Sequence, residues 1–236
     1  MSPLIILKRS NNFKDFTLNI GLVSVSYPSP SRALGSGFEN AIPDIQSSGI
    51  FMLQTILVGN TKLRLFFDTG CGDIVIKKSA VDALSHVGRA HLEVPGPMTM
   101  SGVGDVKSIT NHGIYSISLP LKDGTNAVFS GICMDKVTTE FPTYDPRKAG
   151  YDIRNEYEAD GGDPSLLPRL PCQVGGDTDI LIGAKYFYAH PREIFRSKSG
   201  LAIFDSSFLS EDGTSGVLLG PHDNFSHTER ARESIP

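Results

Sequence analysis

Cysteine, basic charge and long apolar runs are all scarce in this 236-residue sequence, and each scarcity removes a class of protein. Its three cysteines, Cys71, Cys133 and Cys172, form no Cys-x-x-Cys pair and cannot all be bridged to one another. That argues against a disulfide scaffold or a zinc module and points to a reducing compartment. Lys and Arg number 22 against 26 Asp and Glu, a net charge of -4, so no general basic field exists to hold nucleic acid. No stretch approaches the ~20 apolar residues of a membrane span. The apolar run from Pro3 to Leu7 is too short for a secretory h-region, so a soluble cytoplasmic chain without a membrane partner is expected. Asn224-Phe-Ser226 matches a glycosylation sequon, but such a chain would not meet the machinery.

What is present favours β structure. With 39% apolar and 20% charged residues the chain reads as globular, and 24 Gly with 15 Pro imply many turns and short elements. Residues 1–45 mix short apolar runs with Tyr27-Pro-Ser-Pro and Gly35-Ser-Gly, the texture of a loosely attached arm. From Gly49 a core begins: Ile50 to Val58 and Lys62 to Phe67 are β-rich runs joined by Gly59-Asn60, a two-residue hairpin signal. Leu63, Leu65 and Phe67 alternate with Arg64 and Phe66, so one face is buried, and the strand ends at Asp68.

Ser79 and Asp82 form a weak capping box ahead of a short helix through Ala83, Leu84 and Val87. Val94 to Leu121 reads as a long hairpin bent at Ser101-Gly-Val-Gly-Asp105, and Ala127 to Met134 as a further strand. Residues 135–177 hold nine acidic and five basic residues and five prolines, the signature of a long surface insertion that is functional or disordered. Asp179-Ile-Leu-Ile-Gly183 restores the core as a short buried strand. Ala184 to Ala189 can form a helix that Pro191 stops. Leu201 to Phe204 and Gly216 to Leu219 close the domain as a hairpin, and 223–236 form a tail.

The sharpest chemical feature is Leu65-Phe-Phe-Asp68-Thr69-Gly70. A carboxylate at the end of a hydrophobic strand is costly to desolvate, and such a placement makes sense where a partner uses or shares a proton. Asp-x-Gly after a strand is also common turn chemistry, and the tripeptide alone leaves the two readings level.

Three motifs in order resemble the retropepsins, the aspartic proteases of retroviruses and retrotransposons. They are Phe67-Asp-Thr-Gly70, the glycine-rich Met100-Ser-Gly-Val-Gly-Asp105 and Ile180-Leu-Ile-Gly183, with β-rich sequence between them. More narrowly the chain is similar to the protease region of Pao/BEL-type retrotransposon polyproteins. Gly175-Gly-Asp-Thr-Asp-Ile-Leu-Ile-Gly183, Lys185-Tyr-Phe, His190-Pro191, Ser199-Gly-Leu-Ala-Ile203 and Gly220-Pro-His222 carry that likeness, which spans roughly Gly49 to His222. It implies a protease domain over 46–222, all-β, a closed barrel with a flap hairpin and one or two short helices. It also implies aspartic endopeptidase activity on a retroelement polyprotein, in the cytoplasm or inside retroelement particles.

Hydrolysis by that route needs one carboxyl as base and one as acid, and the sequence holds no second Asp-Thr/Ser-Gly. Phe204-Asp205-Ser206-Ser207 comes nearest, lacks the glycine and reads as a strand end. The second Asp is therefore expected from another copy of the chain, in a symmetric homodimer. The resemblance assigns Asp68 the catalysis, Thr69 the bonds that hold two loops across the axis, and Gly70 room for a substrate carbonyl. Ser101, Gly102, Val103 and Gly104 would form a flap that closes over an extended peptide, with Val103 and Leu181 as apolar pocket walls. Cys71-Gly72-Asp73 departs from the compact retroviral pattern: Gly72 offers no side chain to a substrate, leaving Asp73 or nothing for that contact. Ala184-Lys185 stands where several retroviral enzymes carry an arginine that braces the dimer.

The six histidines, His86, His91, His112, His190, His222 and His227, show no metal spacing and read as surface or turn residues. No metal or cofactor is expected. Two rival readings remain: a retropepsin-fold module that binds or assembles without cutting, and a β-barrel binding protein whose Asp68 only starts a turn.

Overall fold

The computed structural model describes residues 19–20, 49–97, 100–102, 107–108, 112–138 and 140–221. Val103 and Gly104, most of the arm, the tail and its sequon lie outside them. The described chain is mostly β. Its strands are β1 (Asn19–Ile20), β2 (Gly49–Ile50), β3 (Leu53–Val58), β4 (Thr61–Asp68), β5 (Ile74–Lys77), β6 (Ala90–Pro95) and β7 (Met100–Gly102). They continue as β8 (Lys107–Ser108), β9 (Gly113–Pro120), β10 (Asn126–Met134), β11 (Ile180–Gly183), β12 (Arg192–Arg196), β13 (Ala202–Asp205) and β14 (Gly216–Pro221). Two α-helices, α1 (Lys78–His86) and α2 (Arg147–Ala159), and 3-10 turns at Pro164–Leu166 and Ala184–Ala189 complete the order.

Seven strands form the main sheet in the order β3-β4-β11-β5-β10-β9-β6. The Gly59-Asn60 turn pairs Val58 with Thr61, with Gly59 at φ 61°, a conformation glycine adopts without strain. Alternation then sorts the faces. Leu63, Leu65 and Phe67 of β4, Ile74 and Ile76 of β5, and Ile180 and Ile182 of β11 enter one buried cluster with Phe129, Phe208 and Leu84 of α1. Phe66, Val75 and Leu181 point to the opposite face, where Leu53 and Cys71 join them. Each such side chain removed from water stabilises the fold by about 1.5–3 kcal/mol.

The long hairpin forms as β6 against β9, Val94 opposite Ile114, with β7 and β8 pairing nearer its tip. Asn19–Ile20 of the arm pairs in parallel with Ser101–Gly102. The closing hairpin is β13 with β14, flanked by β12 and β2.

The order of the main sheet ends at β3 and β6, and no closed barrel is seen among the described residues. Two expectations need correction. Ser79 does not cap the first helix: the helix starts at Lys78, its N-cap is Lys77, and no side chain caps it. It follows β5 with no loop between, so the chain enters it directly from the sheet. Residues 135–177 are not a structureless insertion. Ala149 and Ile153 of α2 pack with Leu167 onto Ile50, Leu201, Ile203 and Leu218 of the C-terminal sheet, making a second core. Arg154 locks the segment by donating to the carbonyls of Pro164, Leu167 and Pro168 at 2.7, 3.2 and 3.2 Å.

Candidate functional site

The site is built where β11 slides between β4 and β5. Those two strands are consecutive in sequence, yet their inner edges pair with β11, parallel to β4 and antiparallel to β5. The loop joining them, 69–73, must therefore cross the end of β11. Asp179 prepares the insertion: its carboxylate accepts from Arg64 N at 2.8 Å, its N–H donates to Arg64 O at 3.0 Å, and Lys77 N donates to its carbonyl at 2.7 Å.

Asp68 ends β4 on the face that Phe66 shares and is half-buried, while Thr69 and Gly70 are exposed. Its Oδ1 accepts a hydrogen bond from Gly70 N at 2.8 Å, which fixes the carboxylate over the turn. Across the pair, Gly183 stands opposite Asp68. Ala184 N and Lys185 N then donate to the carbonyls of Cys71 and Gly72 at 2.7 and 3.1 Å. The Asp68 loop is thus held by main-chain bonds from the turn that follows β11, which is how a rigid scaffold positions a side chain.

Asp73 is turned toward structure. Its Oδ1 accepts from Ile74 N at 3.1 Å and faces Lys185 Nζ at 3.4 Å. Lys185 is half exposed, so this ion pair adds little to stability. Cys71 is fully buried against Leu53, Phe66, Val75 and Leu181, and burial, outweighing a lowering backbone contribution from Asp73, pushes its thiol up to about 12. It fills space as a protonated thiol.

Leu181 is also fully buried, and Val137 and Phe141 from residues 135–177 pack against its cluster. Phe141 lies 5.0 Å from Phe66 and 4.9 Å from Phe51, ring centre to ring centre. Within one chain, therefore, the apolar face beside Asp68 is roofed by aromatic side chains. Ser101 and Gly102 lie on β7, in another sheet, and Val103 and Gly104 lie outside the described residues. Asp205 ends β13, where Lys122 and Ser215 engage its carboxylate, a structural role consistent with a strand end.

Sequence reasoning missed His190. Read as a surface or turn residue, it is only 4% exposed, and its Nε2 lies 3.1 Å from the Gly183 carbonyl. The Phe67 ring meets it edge-on at 5.8 Å and Phe187 stacks on it at 5.7 Å. The available signal was its place seven residues after Gly183, where the 3-10 turn brings the chain back under the strand end.

A cavity of about 320 Å³ opens elsewhere, lined by Gln54, Arg64, Gln173, Asp179 and Ser210 among others, and Asp68 does not line it. Among the described residues no cluster of His, Cys, Asp or Glu could hold a metal ion, and no helix is long and apolar enough to cross a membrane. Compared with models of protein families, with curated proteins and with solved structures, the chain matches none.

Proposed function

We propose that this chain is an aspartic endopeptidase that works as a homodimer, with one Asp68 from each copy, on an extended peptide of a retroelement polyprotein. The observation that carries the reading is the placement of Asp68: half-exposed at a strand end, oriented by Gly70 N and carried on a loop braced by β11. The resemblance noted in the sequence supports the same reading through Thr69, Gly70 and the glycine hairpin.

One half-exposed carboxyl cannot both take and give a proton. Two, held together on a two-fold axis, share one proton and titrate as a coupled unit. The ionised member takes a proton from water as the water oxygen bonds to the peptide carbon. The protonated member gives its proton to the carbonyl oxygen, forming a neutral gem-diol. Collapse returns that hydroxyl proton to the dyad as the amide nitrogen gains one and the C–N bond breaks. Thr69, exposed next to Asp68, would tie the two loops across the axis, and the hairpin around Ser101 to Gly104 would cover the peptide.

The test is cleavage of a mixed peptide library at pH 5 by wild type and Asp68→Asn over a range of protein concentrations. Cutting that depends on Asp68 and grows faster than linearly with concentration supports the proposal. One observation favours a second reading, the non-catalytic module: among the described residues, Leu181 and Phe66 are already buried under Phe141 and its neighbours. Folded, dimeric protein that cuts nothing at any concentration would decide for that reading.

A further inference from the structure

We propose that His190 is a positioning residue for Asp68, whose buried neutral imidazole holds the end of β11 in place and whose protonation favours local opening there, because the charged ring is costly to keep buried. The role in catalysis rests on the proposed function; the hydrogen-bond argument stands without it.

The Gly183 carbonyl can only accept, so at 3.1 Å the proton between it and the ring belongs to Nε2. That bond fixes Gly183, which is in register with Asp68 and whose next two residues brace the Asp68 loop through Cys71 O and Gly72 O. Gly183 is itself tight against the loop. A Cβ there would sit 2.1 Å from the Asp73 carbonyl oxygen and 2.6 Å from that of Cys71. A shift of the β11 end is therefore passed directly to the loop that carries Asp68.

The surroundings favour the neutral ring. Phe67 from β4 and Phe187 from its own turn cover it, and Nδ1 is buried with no hydrogen-bond partner among the described residues. Burial holds its pKa below the ordinary histidine value; the Gly183 and Ile182 carbonyls and the charge of Asp68 pull upward without prevailing. Asp68 is the charged group that acts on the ring from the elements packed around it. A second proton would go to Nδ1, creating a buried donor with nothing to receive it. Acid thus weakens the brace at the low end of the range in which an aspartate dyad works.

The experiment is amide hydrogen exchange at Ala184 and Lys185 in the full chain, corrected for intrinsic rates, from about pH 4.5 to 7.5. Wild type is compared with His190→Gln, which keeps a donor without titrating, and with His190→Ala. The expected result in wild type is steady protection above the ordinary histidine pKa of about 6.5 and a fall of about tenfold or more below it. His190→Gln should be flat across the range, and His190→Ala should lose protection at every pH while Ile203 in the C-terminal sheet stays protected. If cleavage is observed, kcat of wild type should drop on the acid side where His190→Gln does not, at unchanged KM. Wild type and His190→Gln with the same pH dependence would overturn the proposal, as would unchanged protection in folded His190→Ala. Absence of cleavage would count against the protease reading alone, since exchange still decides the role of His190.

Discussion

Gly183 and Asp68 face each other across the parallel pair of β11 and β4, and the space at Gly183 admits no side chain. The strand end and the acid-bearing loop fit together only because one of the two partners is a glycine. The apolar-apolar-Gly motif and the Asp-Thr-Gly motif, 115 positions apart by subtraction of 68 from 183, are one structural unit.

Gly183→Ala should therefore damage site and stability together. The new methyl meets backbone oxygens at 2.1 and 2.6 Å and cannot be relieved by a side-chain rotation. The expected cost is about 3 kcal/mol in urea unfolding. Any Asp68-dependent cleavage should fall about a hundredfold, the usual consequence of misplacing a reactive group by an ångström. A stability change under about 0.5 kcal/mol would contradict the packing described.

Thiol chemistry should separate the three cysteines. Cys172 is exposed, whereas Cys71 and Cys133 are fully buried and burial pushes their thiols up to about 12 and about 11. A disulfide reagent at pH 8 should titrate one thiol quickly in native protein and three in denaturant. Raising the pH to 9 should not recruit the other two, because both thiols remain protonated. Three fast native thiols would contradict this.

The second core makes a separate prediction. Ile153 is buried between α2 and the C-terminal sheet, so Ile153→Ala should cost about 2–5 kcal/mol. Limited proteolysis should then cut first within residues 135–177. If that region were only a surface loop, the substitution would leave unfolding unchanged.

The pH dependence of stability carries the sign of His190. A histidine whose folded pKa lies below its unfolded one binds fewer protons in the native state. Its neutral form supports the fold fully above about pH 6.5, and that support is lost as pH falls toward the lower folded value. Urea unfolding of wild type should therefore weaken, relative to His190→Gln, as pH falls below about 6.5. Parallel curves would contradict the buried neutral ring.

Much of this architecture was legible because it is local. Leu63, Leu65 and Phe67 at period two place a buried face, Gly59-Asn60 marks the hairpin, and Tyr115, Ile117 and Leu119 at the same period mark β9. The pairing of β11 between β4 and β5 was not, since parallel strands joined across more than a hundred residues leave no trace in local period. Residues 135–177 misled for a compositional reason. Acid and proline dominate the segment, while the apolar contacts of Ala149, Ile153 and Leu167 are few and widely spaced. His190 was hidden because one histidine beside a proline carries no pattern, and its meaning depends on the carbonyl of Gly183 above it.

The central claim, that one active site needs Asp68 from two chains, is tested most directly by mixing. Wild type and Asp68→Asn are combined at fixed total concentration, allowed to exchange, and assayed for cleavage against the mutant fraction. The mutant keeps the oxygen that accepts from Gly70 N, so its fold and pairing should be unchanged. If two chains share one dyad, activity follows the square of the wild-type fraction and an equal mixture retains about one quarter. A linear decline to one half, with exchange of subunits demonstrated, would show that each chain acts alone and would contradict the account.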